Sequence, residues 1–468
     1  MNSIKKFINL KNRFVDHSED IRDGDTFVSI KNGYSNLSAE LIEKANYILL
    51  TSPGPSESNK FVNISELKEK YIKDIEEIYG LKENHFNKFF VTGTNGKTST
   101  IHFLRQILNF SESSCASTGT LGRFINNKFY GSQRLTTETP IFIRNFLREC
   151  EKNSVQNILF EASSIGIEEK RLSGLSIDHA ALSNISRDHL NYHGNIKNYV
   201  DAKMKLVESC KQTFTYVKQD QLSERIKNSF KGNALYSISI DDPKSDISIN
   251  VKKIFKDGII EFTAETPWGN FQNGVKLFAE YNLLNLFLGL PFFLSCSKNI
   301  DLFSNSLNTL RLPNGRMQLF EKNEKRIFVD FAHTPDAIKK TLINIKKTKP
   351  RGLILVLGAG GDQDQGKRAE MGEIAENYAD YLIVTSDNPR FEDPDEISKM
   401  ITSKISKDFN FEIENDRGKA IMKAFKTLKE YEVLVIAGKG HEDYQIVGNN
   451  KEYFSDVEEV RKCLELLD

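Results

Sequence analysis

The sequence predicts an α/β fold in three domains: a small N-terminal α/β module, a central domain with a mostly parallel sheet, and a C-terminal doubly wound domain. Three observations carry this reading. The chain has 468 residues, a length that fits roughly three domains. From about residue 88 onward, short apolar runs of strand length alternate with helical stretches, the pattern of βα units and a parallel sheet. The loops richest in polar residues follow those runs, at the carboxyl ends of strands where open α/β sheets hold their ligands.

Residues 1–87 contain two strand-like pieces, Thr26–Ile30 and Tyr47–Leu50, and a charged helical segment from Ile64 to Tyr79. The opening Met1–Phe7 has lysines but no apolar core after them, so it does not read as a signal peptide.

The central domain, 88–315, opens on Lys88–Val91, a buried strand by composition, followed by Thr92-Gly93-Thr94-Asn95-Gly96-Lys97-Thr98-Ser99-Thr100. Gly93 and Gly96 let backbone N–H groups close on phosphate oxygens, Lys97 neutralises them, and the Thr98 hydroxyl suits Mg²⁺. The helix predicted after it, with Ile101, Leu104, Ile107 and Leu108 on one face, adds its N-terminal dipole. Val91 stands where the general pattern has a further Gly. Strands are predicted at Asn157–Phe160, ending on Glu161-Ala162-Ser163-Ser164, and at His179–Leu182, ending on Ser183 to His189. Residues 248–278 read as a β insertion before a helix at Tyr281. The most apolar stretch, Leu283–Cys296, contains Asn285, Gly289 and Pro291, and falls short of the ~20 apolar residues of a membrane span; it reads as a buried helix and its end.

In the C-terminal domain, 316–468, strands are predicted at Arg326–Asp330, Leu353–Leu357, Tyr381–Thr385 and Val433–Ile436. Each is followed by a polar loop: Ala332-His333-Thr334-Pro335-Asp336, Gly358 to Asp362, Asp387-Asn388-Pro389-Arg390, and Gly438-Lys439-Gly440-His441-Glu442. Two strand-end faces are therefore expected to meet across a cleft.

Composition narrows the function. Sixty-four basic side chains balance 64 acidic ones with no basic block, which argues against a nucleic-acid or membrane-surface binder. Five scattered cysteines without metal-type spacing read as reduced core residues of a cytoplasmic protein.

The order of motifs (Gly-Thr-Asn-Gly-Lys-Thr, Glu-Ala-Ser-Ser, Asn-Ile-Ser-Arg-Asp-His-Leu-Asn-Tyr-His and Tyr199-x-x-x-Lys203) resembles the central domain of the Mur ligases. Asp330-Phe331-Ala332-His333-Thr334-Pro335-Asp336, the Gly-Gly-Asp loop, Asp-Asn-Pro-Arg and Gly-Lys-Gly-His-Glu are similar to the MurE branch. The resemblance runs from about residue 88 to the C-terminus. It implies a P-loop-type ATPase domain, a Rossmann-like C-terminal domain and an ATP-dependent ligase of peptidoglycan synthesis. Such an enzyme adds a diamino acid, meso-diaminopimelate for the Asp-Asn-Pro-Arg motif, to UDP-N-acetylmuramoyl-L-alanyl-D-glutamate through an acyl phosphate. A lysine-adding ligase, a folylpolyglutamate synthetase and a non-catalytic nucleotide-binding regulator are the rivals. A cytoplasmic monomer is expected, with no nucleic acid or membrane partner.

By the same resemblance Lys97, Glu161, His189 and Lys203 are catalytic; Thr98, Glu161, His189 and a Lys203 carbamylated by CO₂ hold Mg²⁺. Gly93, Thr94, Asn95, Gly96, Lys97, Thr98, Ser99, Asn282, Arg316, Asp330 and His333 contact ATP. Ser18, Thr136, Thr137, Ser163, Ser164, Glu169 and Arg171 hold the UDP-linked substrate. Gln363, Asn388, Arg390, Gly438 and Glu442 hold the amino acid, Arg390 pairing with its remote carboxylate and Glu442 with its remote ammonium. A His189-x-x-x-His193 zinc pair is the weaker alternative, because no Glu follows the first His. The sequence departs from the family pattern in four places: Gln363 for Arg, Ile165 for His, Glu169 for Gln, and the tripeptide His17-Ser18-Glu19 for Asp-Ser-Arg.

Overall fold

The computed structural model describes residues 13–29, 35, 37–52, 60–67, 70–82, 85–429 and 432–467. Met1–Phe7 and Ile30, named above, lie outside the described residues. The chain forms two compact units, residues 1–90 with 112–179, and residues 91–111 with 180–468.

In the first unit, Phe14–Val15, Thr26–Ser29, Tyr47–Leu50 and Phe61–Asn63 form a four-stranded, all-parallel sheet. Its faces bury separate cores, Phe14, Val28 and Leu49 on one and Phe27, Ile48 and Leu50 on the other. This is the alternation that a period-two strand produces. The helix Lys70–Tyr79 covers the first of these cores. Tyr79 Oη accepts from Phe14 N at 2.8 Å and donates to Asn145 Oδ1 at 2.8 Å. That bond joins the sheet to the helix Pro140–Lys152, whose start is set by Thr139 capping Phe142 N and by proline in the first turn. Cys115–Gly119 runs parallel to Asn157–Glu161 and continues through the antiparallel strands Gly122–Ile125 and Lys128–Gly131.

In the second unit, the helix Lys97–Phe110 follows directly on the phosphate turn. Thr213–Val217, Ala234–Ile240 and Ile247–Ile254 are parallel, and Ile259–Glu265 and Phe271–Lys276 extend them as an antiparallel meander. This is the predicted β insertion. The expected single helix through Leu283–Cys296 is two, Glu280–Phe287 and Leu290–Ser297. Pro291 lacks the N–H that a continuous helix needs but fits a first turn. Gly289 lies where a Cβ would press on Leu104 of the phosphate-loop helix, so the break lets the two helices approach.

The last sheet has the order Gln318–Lys322, Lys325–Asp330, Val433–Ala437, Leu353–Leu357, Tyr381–Val384, Phe411–Ile413. It is parallel except at its first strand. Helices on both faces bury Leu355 and Val435 on one side and Val356 and Ile436 on the other, the doubly wound arrangement read from the sequence. All five cysteines are free, four of them buried. Among the described residues no helix is long and apolar enough to cross a membrane.

Candidate active site

The phosphate turn is held from outside by the segment after His179–Leu182. Ser183 Oγ and Asn184 Nδ2 both donate to Asn95 O, at 2.5 and 2.8 Å, and Asn95 N donates to Asn184 Oδ1 at 3.1 Å. Thr94 Oγ1 accepts from Ser186 N at 3.0 Å and pairs with Tyr199 Oη at 2.9 Å, so its side chain anchors the turn. Gly93 and Gly96 sit at φ 146° and 94°, where a side chain is strained. A Cβ would collide with Ser183 Oγ at the first and with Asn285 at the second. Lys97 Nζ donates to Gly93 O and Thr94 O at 2.8 and 2.9 Å, and Lys203 Nζ donates to the same Gly93 O at 2.9 Å.

Lys203 lies fully inside, 1% exposed, with its Nζ 4.4 Å from the centre of the Tyr199 ring. Burial, and then the Lys97 charge, hold its pKa well below the usual lysine range. His189 caps the four-residue helix Leu190–His193 in a left-handed conformation, φ 54°. Asp188 Oδ1 accepts from His189 N at 2.9 Å, and Asp188 Oδ2 lies 3.5 Å from His189 Nε2 and 3.8 Å from His333 Nε2. Burial alone would raise the Asp188 carboxyl, but His333, His189 and Lys367 together hold it well below the usual carboxylate range. The His189 imidazole is half-exposed, and its partial desolvation lowers its pKa from the ordinary histidine value against the pull of Asp188. It is therefore neutral, the form that ligates metal.

A cavity of about 280 Å³ opens beside the turn, lined by Asn95, Gly96, Ser99, Asn282, Arg316 and Asp330 among others. Six of the predicted nucleotide residues thus share one space with apolar walls from Val217, Leu284 and Ala337, the mixture a nucleotide requires. Asn282 is internal to its helix, which Ala279 caps, and donates to Leu277 O at 3.1 Å. Asp330 holds Met317 N and Ala332 N at 2.7 and 3.0 Å. His333 does not line the cavity and faces Asp188 instead.

The residues predicted to hold the amino acid lie in the loops after Leu353–Leu357, Tyr381–Val384 and Val433–Ala437. Asn388 Nδ2 donates to Glu442 Oε2 at 2.9 Å. Lys439, fully buried, donates to that same oxygen at 3.0 Å and to Asn388 Oδ1 at 3.1 Å. Lys439 was not singled out by sequence; its only signal was its place inside Gly-Lys-Gly-His-Glu. Arg390, at φ 51°, donates from Nη1 to Gly361 O at 2.7 Å. Gly438 N donates to Asp330 O at 3.1 Å, and a Cβ there would meet Asp387. Gln363 Oε1 is 3.4 Å from Lys367 Nζ, and Asp364 beside it forms a two-pronged pair with Arg187 at 2.8 and 3.0 Å.

In the first unit, Glu161 is 2% exposed and accepts from Thr120 N and Oγ1 at 3.0 and 3.1 Å. Thr120 Oγ1 is 3.2 Å from Thr136 Oγ1. Thr137 Oγ1 donates to Glu161 O at 2.8 Å and lies 3.1 Å from Ser163 Oγ, which caps the helix Ser164–Glu168. Arg171 reaches Thr137 O at 2.8 Å and pairs with Glu169 at 2.7 Å. Five of the predicted substrate residues and Glu161 therefore form one network. Thr120 was not predicted, although Thr118-Gly119-Thr120 is the small polar strand end that such a site uses. Ser18 lies in a short 3-10 turn, where Arg134 pairs with its neighbours Glu19 and Asp20 at 3.2 and 2.9 Å.

Among the described residues no three of His, Cys, Asp and Glu converge as a metal cage. A Mg²⁺ shared between one or two protein ligands and phosphate oxygens fits this donor set. The buried Asn95 Nδ2, which has no hydrogen-bond partner, is an N–H donor and suits a phosphate oxygen beside the turn.

Comparison with known proteins agrees in both halves. Residues 91–291 match the Mur ligase middle domain, and residues 315–440 match the Mur ligase glutamate ligase domain. The chain is 33% identical over 450 residues to the UDP-N-acetylmuramoyl-L-alanyl-D-glutamate--2,6-diaminopimelate ligase of Rickettsia bellii (strain RML369-C), covering 94% of this chain and 93% of that one. It is 35% identical over 399 residues to the Pseudomonas putida KT2440 protein of the same name, covering 82% and 79%. A solved structure of a UDP-N-acetylmuramoyl-L-alanyl-D-glutamate--2,6-diaminopimelate ligase superposes with a TM-score of 0.66 at 27% identity, covering 100% of this chain and 99% of that one.

Proposed function

The chain belongs to the Mur ligase family, and on that premise we propose that it joins meso-diaminopimelate to UDP-N-acetylmuramoyl-L-alanyl-D-glutamate at the expense of ATP. The substrate carboxylate attacks the γ-phosphorus and ADP leaves. The amine then attacks the acyl phosphate, and the tetrahedral adduct collapses to amide and inorganic phosphate. The observation that most supports this reading is the single cavity shared by Asn95, Gly96, Ser99, Asn282, Arg316 and Asp330.

The chain's own residues divide the work. Lys97, released from Gly93 O and Thr94 O, counters the phosphate charge, and the N–H groups of the turn bind phosphate oxygens. Arg316, which lines the cavity, adds a second cation. In the second unit Thr98, His189 and Lys203 are residues that would hold Mg²⁺, which supplies charge neutralisation for the transferring phosphoryl. Lys203 suits this as a carbamate: a neutral buried amine takes up CO₂, and the ammonium that would repel a metal becomes a carboxylate.

Residues 1–87 with Thr136, Thr137, Ser163, Ser164, Glu169 and Arg171 hold the UDP-linked substrate. In the C-terminal domain Asn388, Arg390, Gly438 and Glu442 hold the diamino acid. Lys439 already compensates part of the Glu442 charge, so Arg390 is the main discriminator, by its attraction for the remote carboxylate. The test is phosphate release from ATP with the muramoyl dipeptide and, separately, diaminopimelate isomers, lysine and ornithine. Release with the meso isomer well above the others is expected. No release with any diamino acid would overturn the ligase reading, and equal release with lysine would overturn the assigned amino acid.

A further inference from the structure

Two loops assigned to different ligands meet on one side chain. Phe331 lines the nucleotide cavity, and the Arg316 guanidinium sits over its ring at 4.2 Å. The imidazole of His441, one residue before Glu442, packs against the same ring with centroids 4.9 Å apart, and His333 meets it at 4.7 Å. The backbones are as close as the rings. A Cβ on Gly315 would run into Gly440 and His441, and one on Gly440 into the Gly315 carbonyl and Phe331. Cation–ring contacts are directional, and close-packed groups pass displacement on rather than absorb it. A ligand that fixes Arg316 therefore fixes Phe331, and with it the backbone that carries Glu442. Burial keeps the His441 ring neutral, with a pKa of about 3, and its buried Nδ1 has no partner. The ring serves here as a shape.

We propose that His441 is a positioning residue that couples the nucleotide cavity to the amino-acid loop, through its contact with Phe331 beside the Gly315–Arg316 turn. This rests on the ligase reading above. Coupling between two sites is reciprocal, so either ligand tightens the other by the same factor.

The test is calorimetric titration of a non-hydrolysable ATP analogue with Mg²⁺ into the full chain, with and without saturating meso-diaminopimelate. In the unsubstituted protein the diamino acid is expected to tighten the analogue about tenfold. In His441→Ala the tightening falls to within about twofold, while the analogue alone still binds within about threefold of the unsubstituted value, which also shows that the variant is folded. His441→Phe retains the ring and keeps the coupling. If His441→Ala fails to fold, His441→Leu, which fills the space without an aromatic ring, gives the same reading, with coupling expected to be lost. Equal coupling in the alanine variant, loss of coupling in His441→Phe, or none in the unsubstituted protein overturns the proposal. If phosphate release proceeds normally in that last case, the ligase reading stands while the coupling falls. If the unsubstituted protein neither binds the analogue nor releases phosphate, both fall.

Discussion

Arg390 sits at φ 51° with its guanidinium on Gly361 O, so the loop aims it before any ligand arrives. Alanine at this position suffers the same backbone strain as arginine, and Arg390→Ala therefore isolates the side chain. The KM for meso-diaminopimelate should rise about 10- to 100-fold, ~1.4–3 kcal/mol for one charge-assisted contact. The affinity for an ATP analogue should move less than about threefold. Comparable loss of both would mean that Arg390 supports the loop and does not meet the substrate. Lys203 makes a second prediction. Arginine keeps its charge and takes up no CO₂, so Lys203→Arg should lose about 100-fold or more in turnover. The unsubstituted enzyme in CO₂-stripped buffer should slow and recover on adding bicarbonate. Turnover indifferent to bicarbonate after prolonged stripping would sink the carbamate.

Among the elements, the helices Arg417–Thr427 and Asp456–Glu465 meet in an ion pair with both side chains fully buried, at 2.7 and 2.8 Å. Arg417 also donates to Ala437 O and Ser386 O, at 3.0 and 3.3 Å. Those carbonyls end the stretches that lead into Gly438 and Asn388, so the pair supports the two loops proposed to hold the amino acid. Arg417→Met leaves Asp456 charged and buried, which should cost about 3–5 kcal/mol in denaturant unfolding. Arg417→Met with Asp456→Leu should cost clearly less than the two single changes added together, because no lone charge then stays inside. Strict additivity in that cycle would show that the two groups do not interact. Helices are also where local reading was incomplete. The apolar run Leu283–Cys296 reads as one helix by composition, and Gly289 divides it because the phosphate-loop helix needs the space at Leu104.

For the whole molecule, two imidazoles stand out as held neutral by the fold. Burial, then the Arg105 charge, lowers His102 to about 3, and burial lowers His441 to about 3. An unfolded histidine titrates near 6.5. Between that value and the folded ones the unfolded chain binds more protons, so stability is fully present above about pH 6.5 and declines as pH falls toward about 3. Unfolding midpoints in urea should therefore drop between about pH 7 and pH 5, and His102→Gln should flatten part of that slope. A midpoint independent of pH across this window would show that these rings ionise as freely in the fold as outside it.

The α/β class, the phosphate turn and the order of strand-end loops were all legible in the sequence. Each is written within about ten residues by local signals: an apolar run, a glycine needing positive φ, a capped helix start. Partners across the chain were not. Lys439 between Asn388 and Glu442, Arg417 on Asp456, Arg187 on Asp364 and Thr120 on Glu161 join residues far apart in sequence. Their meeting depends on strand order: Val433–Ala437 inserts between Lys325–Asp330 and Leu353–Leu357, out of chain sequence. Local patterning determines that a strand forms and which loop follows it. The packing of its neighbours decides which distant side chain that loop will face, and only tertiary structure contains that choice.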